Sequence, residues 1–168
     1  AADELFTGYF DHQNLYLHAV AQDPKAHAIA RAAWMAHQSG IVRNPYLKNP
    51  DLYLENPDER RHVFLGREQF SQWLASPWNE PFREVSYGDP LLRNRMKNEL
   101  FQEVVPVMLR EDDLNAMSCS LENRSPFLDR RLFEVDYSTP ARHLVQDARA
   151  KSVLRDAMRG IVADPILD

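Results

Sequence analysis

The charged residues that could do chemistry are concentrated between positions 112 and 129. Glu122 and Arg124 stand there among apolar residues, with Leu121 before them and Phe127 after them. A carboxylate and a guanidinium in apolar surroundings are either paired with each other or directed at a ligand, because burying one alone costs several kcal/mol. The sequence therefore leaves two interpretations open: a helix end held by a salt bridge, or a binding site.

Pro126 should end the helix that begins this stretch. A proline has no backbone N–H and pushes the preceding residue out of the helical region, so we expect Ser125 to be extended. Asp113 is a second acidic candidate, nine residues before Glu122. Nine residues are about two and a half helical turns, so the two carboxylates need not share a face. We therefore predict that Asp113 stabilises the fold, or holds a residue of the site in place without touching the ligand itself.

Three segments resemble one enzyme family. Residues 120–129 read SLENRSPFLD and resemble the S-L-E-x-R-x-P-F-L-D motif of the glutamine-hydrolysing asparagine synthetases. Residues 1–9, AADELFTGY, resemble the G-(S/A)-D-E-L-F-x-G-Y segment of the C-terminal synthetase domain of those enzymes. Residues 151–157, KSVLRDA, resemble their K-x-x-L-R-x-A helix. The segments occur in the family's order and extend over nearly the whole chain, so together they are more specific than any one of them.

The resemblance implies an ATP-dependent ligase that converts aspartate to asparagine. The side-chain carboxylate is joined to AMP, pyrophosphate leaves, and ammonia derived from glutamine attacks the acyl-adenylate. The resemblance implies ATP and Mg²⁺, a hard cation that takes oxygen ligands. It also implies Asp3 as the Mg²⁺ ligand and Glu122 as the catalytic residue, with Asp113 and Arg124 at or behind the substrate. We therefore expect Asp3 and Glu122 to converge on one ligand cleft.

Asp3 and Glu122 could each have a purely structural role instead. Carboxylates in the first turn of a helix favour the helix dipole, so Asp3 and Glu4 could simply begin a helix. Glu122 could be a buried structural partner of Arg124. Nothing in the sequence distinguishes aspartate from a sugar or antibiotic-precursor carboxylate as the acceptor.

The sequence predicts a mainly α fold, because few segments alternate with a period of two and none is long and β-branched enough for a buried strand. The resemblance implies the helical portion of an α/β adenine-nucleotide-binding domain of the PP-loop ATP pyrophosphatase type. The Ser-Gly-Gly-x-Asp-Ser pyrophosphate loop is absent, and Cys119 is internal rather than an N-terminal glutaminase nucleophile. We expect residues 1–168 to be one partial synthetase domain, inactive alone, whose partners are the remaining synthetase and glutaminase domains.

Proline and apolar spacing predict the helix boundaries. Asp23-Pro24 and Asp89-Pro90 each indicate an aspartate cap followed by a proline in the first turn. The apolar residues of 91–109 recur at helical spacing, and Pro106 predicts a kink or break there. The other predicted helices are 3–22, interrupted near Gly8, then 67–75, 129–137 and 149–161. Trp78 is predicted to lie under the turn at 76–81.

Composition excludes several functions. A net charge of -5 argues against a nucleic-acid surface. No apolar run approaches the roughly 20 residues that span a bilayer. Cys119 is the single cysteine, which fits a reducing compartment and predicts a cytoplasmic protein. His12 and His18 do not share a helix face, so we predict no metal pair there.

Two further expectations concern partners. The wide apolar stripe of 91–109 must be covered, and a homodimer is one way to cover it. The aromatic-rich region 46–82 carries no family motif, so a non-catalytic helical module that binds a partner protein there is the alternative to an enzyme.

Overall fold

The computed structural model describes residues 1–64, 66–76 and 82–167, and every regular element within these ranges is helical. The mainly α prediction is confirmed for the described residues, which contain no β-strand. The predicted position of Trp78 lies outside the described residues. The α-helices are α1 (Ala2–Leu5), α2 (Phe10–Ala19), α3 (Pro24–His37), α4 (Leu52–Glu55), α5 (Arg67–Ser71), α6 (Leu91–Phe101), α7 (Val104–Ser118), α8 (Arg130–Ser138), α9 (Ala141–Leu144), α10 (Ser152–Ala157) and α11 (Asp164–Leu167). Short 3-10 helices lie at Pro45–Lys48 and Pro126–Leu128.

Two predicted features of the first helices are confirmed: the break near Gly8 and the helix start at Asp23-Pro24. The chain breaks between α1 and α2 around Gly8, and Thr7 adopts a left-handed φ of 59° there. The Thr7 hydroxyl donates to the carbonyl of Leu144 at 3.0 Å, which ties this break to α9. At the start of α3, Oδ1 of Asp23 accepts hydrogen bonds from the backbone N–H groups of Lys25 and Ala26.

The predicted cap at Asp89 is wrong. The residue before α6 is Pro90, and no side chain caps this helix. The Asp89 carboxylate instead lies 2.7 Å from Nζ of Lys97 and accepts a hydrogen bond from the Tyr137 hydroxyl of α8. The charged Lys97 ammonium and the Tyr137 hydroxyl bind the Asp89 carboxylate more strongly than two backbone N–H groups at the start of α6 would, because a hydrogen bond between ionised groups is stronger than one to a neutral donor.

The long apolar stripe is divided between α6 and α7, which break at Gln102 and Glu103 rather than at Pro106. This break puts Pro106 in the first turn of α7, where its missing N–H would have no helical partner anyway. The predicted interruption is confirmed, four residues earlier than the proline itself. The later helices are shorter than predicted: α5 ends at Ser71, and α10 covers only 152–157 of the expected 149–161.

Two apolar clusters hold these helices together. The larger one joins α2, α3, the 45–53 segment, α6 and α9, with Trp34 and Tyr53 fully buried. The smaller one is built on Leu5 of α1, Phe6 directly after it, Leu100 of α6 and Val105 of α7. No helix within the described ranges is long and apolar enough to cross a membrane.

Candidate functional site

The three family-like segments meet in the smaller apolar cluster, although more than a hundred residues separate the first from the second. Phe6 of the first segment contacts Phe127 of the second edge-to-face, with ring centroids 6.2 Å apart. Val153 and Leu154 of the third segment pack against the same cluster. Aromatic pairs of this geometry contribute about 0.5–1.5 kcal/mol beyond their buried area. The cluster therefore fixes the polar residues of the three segments relative to one another.

Asp3 points to the third segment. Its Oδ1 lies 2.8 Å from Nζ of Lys151, and both side chains are partly exposed. Lys151 precedes α10 with a left-handed φ of 58°. Asp3 and Glu4 both lie in the first turn of α1, as the helix-dipole interpretation predicts, although neither side chain forms a capping hydrogen bond.

Gly8 makes the position of Asp3 possible. A Cβ atom at residue 8 would lie 1.8 Å from Oδ1 of Asp3 and 2.7 Å from its Cα. These distances are far below van der Waals contact, and the second one involves the backbone. Only glycine therefore fits at residue 8 while Asp3 keeps this position.

Glu4 has a different environment from its neighbour Asp3. It is buried and accepts a hydrogen bond from the Tyr9 hydroxyl, and the backbone nitrogen of Ala1 lies 2.9 Å from its Oε2. Burial, and secondly the hydrogen bond to Glu4, raise the pKa of Tyr9 well above its usual range. Glu4 therefore holds the turn together, whereas Asp3 can still reach a ligand.

Glu122 and Arg124 form the ion pair that one interpretation of the sequence predicts. The pair is not buried: the two side chains are 70 % and 83 % exposed. The buried-partner alternative for Glu122 is therefore wrong, and an exposed ion pair contributes at most about 1 kcal/mol to stability. Ser125 is extended, as Pro126 predicts. Glu122 is thus free to exchange its partner for a ligand at little cost.

Asp113 and Arg124 line one cleft of about 240 Å³ between α7 and the 123–125 loop. Met108 and Leu109 form its apolar wall, and Ala1 lies beside them. The structure thus brings together the two residues predicted at or behind the substrate. Neither Asp3 nor Glu122 lines this cleft, so a cleft shared by those two carboxylates stays a prediction.

A buried charge network was not predicted from the sequence. Arg95 of α6 contacts four carboxylates, those of Asp11, Glu84, Glu99 and Glu103, at 2.9 to 3.4 Å. The only signal in the sequence is the spacing of Arg95 and Glu99, four residues apart on one helix. Glu103 and Glu84 are 8 and 11 residues from Arg95 and lie outside α6, and Asp11 is 84 residues away, so helical spacing indicates none of these contacts.

The same network includes two histidines. Nε2 of His12 lies 2.7 Å from Glu99, and Nε2 of His62 lies 3.2 Å from Asp11. Burial alone would raise the pKa of Asp11, but His12, His62 and Arg95 outweigh it and hold this pKa below its usual range. Burial alone would lower the pKa of His12, but Glu99 and Asp11 outweigh it and raise this pKa.

One atom each of Asp11, His12 and Glu99 could reach a common metal ion, since the three atoms lie within 4.8 Å of one another. Nε of Arg95, however, lies 3.0 Å from Glu99 and 3.4 Å from Asp11. The guanidinium already supplies the positive charge that a metal would bring. The network is therefore a structural element and does not fit a metal centre.

Comparison of the sequence with known proteins identifies the same family as the three segments. Residues 1–168 match the asparagine synthase family along their whole length. The chain belongs to the asparagine synthase family. A relative is asparagine synthetase [glutamine-hydrolyzing] 3 of Bacillus subtilis (strain 168), 42% identical over 60 residues. That match covers 36% of this chain and 10% of the relative, so the chain spans only a small part of that protein. No solved structure matches the chain significantly.

Membership of the asparagine synthase family implies ATP. The Mg²⁺ ligand role of Asp3 stays a prediction, and the chemistry of its surroundings is compatible with it. Mg²⁺ is usually bound through one or two carboxylates together with phosphate oxygens and water. Asp3 supplies one partly exposed carboxylate, and the Lys151 ammonium beside it is a phosphate-binding group. The Asp11–His12–Glu99 group does not fit Mg²⁺ with phosphate, because it offers a nitrogen ligand and all three of its residues are buried.

Proposed function

We propose that this chain is part of an ATP- and glutamine-dependent amidotransferase that converts aspartate to asparagine through an acyl-adenylate, releasing AMP and pyrophosphate. The proposal rests on family membership and on one structural observation. That observation is the meeting of the three family-like segments, with the Asp3–Lys151 ion pair at their polar edge. An acceptor other than aspartate, such as a sugar carboxylate, would need the same arrangement.

Within this proposal, each polar residue has a role that its environment supports. Asp3 holds Mg²⁺, which when bound neutralises negative charge on the leaving phosphates. When ATP binds, the Lys151 ammonium leaves the Asp3 carboxylate and pairs with a phosphate oxygen of the nucleotide. Arg124, which already faces the cleft, binds a substrate carboxylate, and Glu122 accepts a proton from the attacking amine. Asp113, on α7 and lining the same cleft as Arg124, attracts the Arg124 guanidinium by charge.

The proposal includes the wider architecture. The described helices would be the helical portion of an α/β domain of the PP-loop type, whose sheet and pyrophosphate loop come from the rest of the protein. The glutaminase domain would supply ammonia, and the chain alone would be inactive because it has no phosphate-cradling loop. The cytoplasmic location and the homodimer stay predictions.

Pyrophosphate release from ATP tests the assignment of Asp3 and Glu122. In the full-length protein, Asp3→Asn removes the charge that holds the cation but keeps the side-chain size. We expect the aspartate-dependent rate to fall about 10- to 100-fold, which corresponds to the loss of a charged contact of roughly 1.5–3 kcal/mol. Glu122→Gln should lower asparagine formation by a similar factor, because a neutral amide cannot take the proton.

Asp58→Asn is the matched control, since Asp58 is exposed and belongs to none of the three segments. It should keep the wild-type rate. Unchanged rates in both Asp3→Asn and Glu122→Gln would remove both site assignments while leaving the family membership untouched.

A second candidate function is a helical module that binds a partner protein. The observation in its favour is the exposure of two large aromatic side chains, Phe70 at 61 % and Trp73 at 87 %. A cavity of about 960 Å³ lies in the same region, lined in part by Tyr46 and Phe82. The sequence of the gene distinguishes the two candidates: a Ser-Gly-Gly-x-Asp-Ser segment upstream supports catalysis, and a start codon near Ala1 supports the module.

A further inference from the structure

The 146–151 turn between α9 and α10 ends at Lys151, whose ammonium lies 2.8 Å from Oδ1 of Asp3. Three residues of this turn, Asp147, Ala148 and Lys151, adopt left-handed φ values of 53 to 58°. Residues other than glycine rarely adopt this conformation, because their Cβ atom comes too close to the backbone. Such residues persist only where the surrounding structure holds them, and they are concentrated at functional sites. Specific contacts must therefore keep this turn in its conformation.

Ser152, the first residue of α10, closes the 146–151 turn with its side chain. Its hydroxyl donates to the carbonyl of Arg149 at 2.6 Å and accepts from the backbone N–H of Gln146 at 3.1 Å. The residue is fully buried. A hydroxyl has one donor and two acceptor sites, so this single group joins two parts of the turn at once. An alanine at residue 152 would remove both contacts.

Gln38, the residue that follows α3, holds the same turn from another part of the chain. Its Nε2 donates to the carbonyl of Ala148 at 2.5 Å, and the residue is buried. Ala148 is the second of two consecutive left-handed residues, so this contact fixes the part of the turn that the Ser152 hydroxyl does not reach. Gln38 belongs to none of the three family-like segments and is 110 residues away from Ala148.

We propose that Ser152 and Gln38 are positioning residues for nucleotide phosphate: they hold the 146–151 turn so that the Lys151 ammonium stays beside Asp3, where the phosphate binds. This inference deepens the proposed function and rests on its assignment of Lys151. Neither Ser152 nor Gln38 touches the ligand, and both act through the turn on Lys151. A lysine on a mobile turn would lose conformational freedom when it binds phosphate, and a turn that is held in advance removes that cost.

Calorimetric titration of the full-length protein with pyrophosphate in the presence of Mg²⁺ tests the proposal. Lys151→Met removes the phosphate contact, so we expect the Kd to rise about tenfold or more, the effect of one charged hydrogen bond. Ser152→Ala and Gln38→Met should each raise the Kd about fivefold, which lies within the usual coupling between residues that share contacts. Loss of folded protein would lower the amount of pyrophosphate bound per chain and leave the Kd unchanged, so a purely structural role does not produce this shift.

Double variants show whether the two residues act through Lys151. In the Lys151→Met background, Ser152→Ala and Gln38→Met should each raise the Kd by less than about twofold, because the contact that they support is already lost. Ser138→Ala is the matched control. It removes an exposed hydroxyl at the end of α8, which donates to the carbonyl of Val135, and it should keep the wild-type Kd.

Four results would overturn the proposal. They are no pyrophosphate binding by the wild type, a wild-type Kd in Lys151→Met, a wild-type Kd in both Ser152→Ala and Gln38→Met, and shifts that persist in the Lys151→Met background. If Ser152→Ala does not fold, Gln38→Met decides the question, alone and combined with Lys151→Met. Asparagine formation in the same preparation is an independent readout. The expected Kd values without asparagine formation contradict only the proposed function, whereas asparagine formation with shifts that persist in the Lys151→Met background contradicts only this inference.

Discussion

Replacing Arg95 by methionine is expected to lower the free energy of unfolding of the chain by about 3–5 kcal/mol, the usual cost of removing one partner from a buried charge pair. Arg95 is 4 % exposed and contacts the carboxylates of Asp11, Glu84, Glu99 and Glu103. Arg60 contacts only one of these acids, at 2.8 Å from Glu84. Without Arg95, several buried negative charges would repel one another with too little compensation. Urea-induced unfolding measures the loss.

Arg31→Met is the control for this substitution. Arg31 pairs with Asp51 at 2.9 Å on the surface, where an ion pair contributes at most about 1 kcal/mol. A loss in Arg95→Met no larger than that in Arg31→Met would show that the network does not stabilise the fold.

The loss in Arg95→Met should depend on pH in a defined direction. The pKa of Asp11 is held below its usual range in the folded protein, partly by Arg95. A lowered pKa in the folded state stabilises the protein above the unfolded-state pKa, and this stabilisation disappears as the pH falls through the folded-state pKa. The curves of wild type and Arg95→Met should therefore converge as the pH falls below about 4. A difference that does not change with pH would contradict the electrostatic origin.

Gly8→Ala is expected to damage both stability and activity, because the added methyl group cannot fit beside Asp3. Its Cβ would lie 1.8 Å from Oδ1 of Asp3 and 2.7 Å from the Asp3 backbone. Overpacking of this kind costs about 1–3 kcal/mol. The displaced Asp3 would also leave Lys151, and a shift of roughly 1 Å at a reacting centre can lower the rate about a hundredfold. Unfolding and aspartate-dependent pyrophosphate release are the two measurements.

Gly40→Ala controls for the loss of a glycine. No atom lies within 4 Å of a Cβ at residue 40, and its φ is outside the left-handed region. This variant should be as stable as wild type, or more stable by about 0.4–1 kcal/mol through lower chain entropy in the unfolded state. Equal behaviour of the two alanine variants would mean that Gly8 does not determine the position of Asp3.

Local features of this chain could be predicted from its sequence. The cap at Asp23, the break at Gly8 and the extended Ser125 each follow from the conformational limits of one or two residues. The meeting of the three segments could be predicted only through the family resemblance, because more than a hundred residues separate Phe6 from Phe127.

Other features depend on contacts that no local pattern contains. Asp89 looks like a cap, but Lys97 and Tyr137 bind its carboxylate once α6 and α8 pack together. The sequence around Arg95 is that of an exposed position on an amphipathic helix. Arg95 is buried instead, because Asp11 and Glu84, from other parts of the chain, pair with its guanidinium.

The fate of one oxygen atom tests the proposed reaction most directly. Aspartate labelled with ¹⁸O in its side-chain carboxylate is incubated with ATP, glutamine and the full-length protein. The carboxylate oxygen attacks the α-phosphorus and pyrophosphate leaves; ammonia then attacks the acyl carbon, and the labelled oxygen departs with AMP. We predict ¹⁸O in AMP, at one labelled AMP per asparagine, with much slower labelling in Asp3→Asn. Label in inorganic phosphate, or asparagine formed without labelled AMP, would contradict the proposal.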